Sequence, residues 1–146
     1  MREFRKNIFI SEDNILKSFS LRASAIIQVD DRYLMVLNEG ANKYKHPGGH
    51  INLSESLLEG LKRELKEEIG LEIKDANPEK IFFDKVFKDG NVMINSIFQI
   101  QIDLKTAEDI ISKSPLPTKL FKLEELNEQN TWMSEINAIK HFEKTN

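Results

Sequence analysis

Apolar residues recur along this chain with two different periods, and each period marks a kind of element. Residues 20–29, SLRASAIIQV, and 32–38, RYLMVLN, are rich in β-formers and meet at Asp30 and Asp31, which predicts a hairpin. Residues 41–50, ANKYKHPGGH, read as a loop marked by Pro47 and a glycine pair. The period then changes: Leu57, Leu61, Leu65 and Ile69 recur at helical spacing. Residues 75–80, DANPEK, form a second loop. The stretches IFFDKVF (81–87) and NVMINSIFQIQI (91–102) predict strands around Lys88, Asp89 and Gly90, where Asp-Gly signals a tight turn. In the second of them Val92, Ile94, Phe98, Ile100 and Ile102 share one face by two-residue alternation. Two prolines make 112–119, SKSPLPTK, a loop rather than a central strand. Trp132, Ile136, Ile139 and Phe142 return to helical spacing and predict a closing helix with Trp132 in its core face. Strands interleaved with two helices predict an α/β fold, helices packed on a mixed sheet.

Composition narrows the function classes. A chain of 146 residues fits a single domain over 1–146 with a sizeable core. The net charge of −3 argues against a protein that coats nucleic acid. There is no cysteine, which excludes disulfides, thiolate metal sites and cysteine nucleophiles. No apolar run is long enough to span a membrane. The N-terminal MREFRKNIFISEDN has no sustained apolar segment and does not read as a secretory signal. The expectation is a cytoplasmic enzyme or binding domain, with a homodimer left open.

The helix after the glycine turn, within His46–Ile73, carries more glutamate than solubility requires. Ser54 or Ser56 can cap it, Ser56 and Glu59 fit a capping box, and Glu55 and Glu59 suit the positive end of the helix dipole. On a wheel of about 100° per residue starting at Leu57, the apolar arc runs from zero to about 120°. Glu68 falls at about 20°, inside that arc, and Glu64 at about 340°, on its edge, with Glu67 at about 280°. Lys62 and Lys66 cover the solvated side. Arg63 could pair with Glu59 or Glu67, but one arginine does not neutralise three acids. Carboxylates at the margin of a core are costly unless paired or bound to a cation. Oxygen-rich clusters suit magnesium or manganese, and Gly48 and Gly49 let a loop bring a backbone carbonyl to the same place.

The stretch from Gly49 to Leu71 resembles the Nudix box, the signature of hydrolases that cleave nucleoside diphosphates linked to another group. Gly49, Glu55, Arg63, Glu64, Leu65, Glu67, Glu68, Gly70 and Leu71 meet every fixed position of it. A chance match somewhere in the chain is on the order of 10⁻⁷ at average residue frequencies. Gly60 stands where the family usually has alanine. The resemblance implies a Nudix-type α/β/α sandwich with the box as loop–helix–loop. It implies a Mg²⁺ cofactor, with Mn²⁺ as a substitute, held by Glu64, Glu67, Glu68 and the carbonyl of Gly48 or Gly49. Glu55 and Arg63 would hold loop and helix in register. The general base would be Glu64 or a later acid, for which Glu108 and Asp109 are the candidates. The implied partner is a small-molecule nucleotide.

The family's substrate markers are mostly missing: Val86 and Phe87 stand where members specific for ADP-ribose and dinucleoside polyphosphates carry proline and tyrosine. A base could stack on Phe83, Phe87, Tyr44 or Trp132, with core packing the favoured role of Trp132, and Arg22, Lys43, Lys45, His46 and Lys88 could meet phosphates. An oxygen-dominated site speaks against His46 or His50 as a metal ligand. The rival reading is a non-catalytic Nudix-fold module that binds a nucleotide and reports it to a partner. The intact set of box glutamates favours the enzyme.

Overall fold

The computed structural model describes residues 17–73 and 81–145. The MREFRKNIFISEDN segment and the loop expected at 75–80 lie outside the described residues. The first hairpin forms as expected. β1 (Ser18–Val29) and β2 (Arg32–Asn38) pair antiparallel, with Ile27 opposite Leu34. The region read as one loop contains two short strands, β3 (Lys43–Lys45) and β4 (Gly48–His50). β3 pairs with β2 and β4 with β1. Both are too short for a periodic signal, and Pro47 between them and the glycine pair within β4 hide the pairing. α1 (Leu57–Ile69) follows, with the Ser56 hydroxyl accepting the Glu59 N–H. β5 (Ile81–Lys88) and β6 (Asn91–Gln101) pair antiparallel. Their turn puts Asp89 at φ 53° and Gly90 at φ 82°, the left-handed pair that an Asp-Gly hairpin favours.

A third helix, α2 (Leu104–Lys113), corrects the expectation of two. Leu104, Ala107, Ile110 and Ile111 recur at helical spacing in it, a period that the expectation of two helices overlooks, and Ala107 and Ile110 are buried. A cap marks its start: the Asp103 carboxylate accepts the Thr106 N–H at 2.7 Å. β7 (Thr118–Lys122) pairs with β2, and α3 (Met133–Thr145) closes the described chain.

The sheet runs β3-β2-β1-β6-β5, with β4 beside β1 and β7 beside β2. β1 and β6 are parallel over eleven register pairs, from Ser18 with Asn91 to Gln28 with Gln101. β1 is therefore central, and alternate residues feed two cores. Ala23, Ala25, Ile27 and Val29 join Phe98 and Ile100 against Leu61, Leu65 and Ile69 of α1 and Ala107 and Ile110 of α2. On the opposite side Ile26, Tyr33, Met35 and Ile97 meet Ile136, Ala138, Ile139 and Phe142 of α3. The result is a mixed sheet between helical layers.

Candidate active site

The site is built where β4 crosses from the sheet to α1. Arg22, Ala23 and Ser24 of β1 pair with His50, Gly49 and Gly48. Gly48 sits at φ 150°, and a Cβ there would run into the backbone of Ala23 and Ser24. Only glycine allows so close an approach of two chains. Gly49 faces the helix. A Cβ on it would lie 2.5 Å from the Glu64 carboxyl carbon, so the Glu64 carboxylate rests directly over the glycine.

Two basic side chains hold the box acids. Arg63 Nε and Nη2 donate to Glu55 at 2.6 and 3.0 Å, and Nη1 to Glu64 Oε1 at 2.9 Å and to Glu67 Oε2 at 3.3 Å. Nη2 also donates to the His50 carbonyl at 2.9 Å, which ties the helix to β4. The Asn52 N–H donates to Glu55 at 2.9 Å. These bonds, those from Arg63 foremost, keep the Glu55 carboxyl below its usual range, and the same pairing raises the Arg63 guanidinium. Glu59 instead gives its N–H to the cap, and Arg63 reaches back two turns to Glu55.

Glu68 is held separately. Its Oε1 accepts the Gly48 N–H at 2.7 Å, and its Oε2 lies 3.1 Å from Lys45 Nζ. Lys45 Nζ also donates to the Gly48 carbonyl at 3.0 Å. The side chains of Glu64 and Glu68 are 16% and 15% exposed, against 60% for Glu67. So the helical wheel places the first two at the core margin, as observed. The expectation of an unneutralised cluster does not hold: a second cation, Lys45, was hidden 23 residues away.

Beside these groups lies a cleft of about 550 Å³ on the α3 side of the sheet. Glu64, Gly48, Gly49 and His50 form one wall with Lys45 and Arg22. Arg22 Nε is buried and has no hydrogen-bond partner among the described residues. Asn38, Met93, Asn95 and Ile97 line it from the sheet, and Trp132, Ser134 and Glu135 from the start of α3. Trp132 is thus a half-exposed wall residue rather than part of the core, and Lys43 Nζ lies 5.6 Å from its ring centre.

Of the sequence candidates, Arg22, Lys45, Gly48, Gly49 and Glu64 meet at this cleft. His46 does not: its side chain is buried and its Nε2 faces Glu135, 3.1 Å from the carbonyl and 3.4 Å from the carboxylate. Tyr44 packs edge-on against Phe121 in the α3-side core, 4.9 Å between ring centres. Glu108 and Asp109 stand on the exposed face of α2, Asp109 paired with Lys113 at 2.9 Å, and neither lines the cleft. Phe83 and Phe87 pair in register with Ser96 and Val92, while their strand neighbours Asp84 and Val86 pair with the cleft residues Asn95 and Met93. The side chains of Phe83 and Phe87 lie outside the described residues. Sequence reasoning missed Asn38, Met93, Asn95, Ser134 and Glu135. No motif joins them, and only the fold brings three distant segments together.

A Nudix domain model matches residues 19–142. The chain belongs to the Nudix family and is a pyrophosphohydrolase of that class. Among solved structures, a Nudix hydrolase from Nitrosomonas europaea is similar at 20% identity and TM-score 0.64, over 86% of this chain and 89% of that one. A MutT protein from Bacillus halodurans is similar at 24% identity and TM-score 0.62, over 84% and 81%. The C. elegans Ap4A hydrolase follows the same fold at 14% identity and TM-score 0.58, over 83% and 98%. A search of curated protein sequences gave no match. Among the described residues no helix is long and apolar enough to cross a membrane.

Proposed function

We propose that this chain hydrolyses a pyrophosphate bond in a nucleoside di- or triphosphate derivative, with Mg²⁺ or Mn²⁺ bound at Glu64, Glu68 and the Gly48 carbonyl. One observation carries the reading. Two carboxylates of low exposure rest on consecutive glycines at the wall of a cleft whose rim carries Arg22 and Lys45.

The donors fit a hard cation. They are all oxygens, and two of them already share an ammonium ion, the Lys45 Nζ. No group of three acid or histidine side chains among the described residues forms a ready-made metal cluster. Glu67 turns outward to Arg63 and would assist an ion here only at longer range. When bound, the ion draws charge from phosphate oxygens and makes a bound water a stronger nucleophile.

The chain's own residues do the rest. Glu64 is the box carboxylate that lines the cleft, which makes it the general base for the attacking water. Arg63 orients it through the 2.9 Å bond and sits outside the cleft lining itself. Arg22, with a buried Nε free to donate, holds a phosphate oxygen. The nucleoside then extends along the sheet residues toward Trp132, where an aromatic wall suits a base. Asn95 is positioned for its edge by the Ser24 hydroxyl, which donates to its Oδ1 at 3.1 Å.

The test is a panel of nucleoside triphosphates, nucleotide sugars and dinucleoside polyphosphates, incubated with Mg²⁺ and scored by product chromatography. Release of a nucleoside monophosphate, abolished by chelator, is the expected result. Full activity in chelator, or none on the panel with metal, would sink it.

A further inference from the structure

Lys45, a candidate for phosphate, sits instead on the oxygens of the metal site. It enters from β3, a three-residue strand that no metal-binding motif includes. Its Nζ bonds two oxygens, Glu68 Oε2 at 3.1 Å and the Gly48 carbonyl at 3.0 Å. Those are the oxygens assigned above to the divalent ion. The lysine and Glu68 side chains are each only 15% exposed, so water screens them little. An ammonium and a divalent ion on the same two oxygens would stand at contact distance and repel strongly.

Both cannot stay. We propose that Lys45 is a tethered cation that keeps the metal-site oxygens in place while no metal is bound, and that metal entry displaces it into the adjoining cleft to contact the substrate's phosphates. The inference rests on the metal site proposed above.

Three features support the exchange. Without a cation, Glu68 would be a nearly buried charge with one backbone N–H for company, a costly state. Lysine fills the gap with a compact charge on a flexible stem, which can leave by rotation in a way a planar guanidinium cannot. And Lys45 already borders the cleft on the side of Arg22, so a rotated ammonium stays within the space where phosphates are held. Glu68 is then neutralised in every state, first by lysine and then by metal. The lysine charge is passed on to the substrate and is not lost to solvent.

The full chain is compared with Lys45→Met and Lys45→Gln. Mn²⁺ binding is followed without nucleotide by the resonance signal of the free ion. Removing the competing charge should tighten Mn²⁺ binding about tenfold or more in both variants. At saturating Mn²⁺, affinity for a non-hydrolysable imidodiphosphate nucleotide should move the opposite way, weakening about tenfold as one charged phosphate contact is lost. Glutamine keeps a donor for the Gly48 carbonyl, so Lys45→Gln decides the matter if Lys45→Met folds poorly. A purely structural lysine would move neither affinity in this opposed fashion. Equal or weaker Mn²⁺ binding in a folded variant, or unchanged nucleotide binding, would overturn the exchange. Absence of Mn²⁺ binding by wild type and variants alike would overturn the metal site itself, and the exchange with it.

Discussion

Gly48 and Gly49 are neighbours in sequence but serve different masters. A Cβ on Gly48 meets main chain, the Ala23 carbonyl oxygen and the Ser24 Cα, and the residue sits at φ 150° where side chains are rarely tolerated. A Cβ on Gly49 meets only the end of the Glu64 side chain, which can swing away. Gly48→Ala should therefore attack the fold. Strain of about 1–3 kcal/mol adds to a backbone clash, and the melting temperature should drop sharply. Gly49→Ala should leave the melting temperature near wild type and cut turnover by about 10–100-fold, as expected when a support of the reacting group is moved. Circular-dichroism melts with initial rates separate the two. A fully active Gly49→Ala would show that the Glu64 position over the glycine is unimportant. At this scale the sequence was legible for the box, because its residues fall on one helix and one turn. It was blind to Lys45 as the partner of Glu68, because β3 hides in a stretch that reads as loop.

Glu55 carries the next consequence. Hydrogen bonds from Arg63 and from the Asn52 N–H favour its ionised form in the fold, so its pKa is depressed below the ordinary 4.5. A group of that kind adds stability above its unfolded pKa and gives it up as pH falls through the folded value. Asp103, capping α2 through the Thr106 N–H, behaves alike below its ordinary 3.8. The acid limb of a stability–pH profile should therefore descend below about pH 4.5, and Glu55→Gln should make it shallower while leaving the profile above pH 6 parallel to wild type. An unchanged acid limb would mean that the Arg63–Glu55 bonds do not fix the loop to the helix.

Among the elements, α1 and α2 were both legible, α2 over a shorter span. Leu57, Leu61, Leu65 and Ile69 give α1 a stripe of about four turns, while Leu104, Ala107, Ile110 and Ile111 give α2 one of about two turns. The Asp103 cap marks where α2 begins. Gly60 raises a question of its own in the middle of α1. Glycine there costs about 1 kcal/mol relative to alanine, yet a Cβ would collide with the Ile51 Cδ1. Close contact between the helix and the β4–α1 loop thus opposes helix propensity. Gly60→Ala alone should be neutral or destabilising despite its better propensity. With Ile51→Val, which removes the obstructing methyl, the same change should become favourable by up to about 1 kcal/mol. Denaturant melts of the four-member cycle measure it, and additive effects would show that Ile51 moves aside freely.

For the whole molecule, the sandwich explains why the site has two ends with different origins. Glu64 and Arg63 come from the helix layer that packs on Ala23, Ala25 and Ile27. Trp132, Ser134 and Glu135 come from the opposite layer, at the start of α3. β4 and the sheet residues Asn95 and Ile97 join them. The box end is local in sequence and could be read directly. The far end comes from Trp132, Ser134 and Glu135, and helical spacing favoured Trp132 as a core residue. Its spacing from Ile136 and Ile139 fits a helix face, but it lies one residue before α3, where the wall turns toward the cleft. This placement gives the protein an internal reporter, since Trp132 is its single tryptophan. If a base stacks there, a saturating nucleotide should quench tryptophan fluorescence, with a midpoint that tracks the Kd from calorimetry. Base–aromatic stacking contributes about 1–3 kcal/mol, so Trp132→Leu should raise KM by roughly 5–150-fold. Its kcat should change little, because stacking on the base is made equally in ground and transition states. A variant with unchanged KM, or nucleotide binding without quenching, would move the base off Trp132 and leave the hydrolytic end of the site intact.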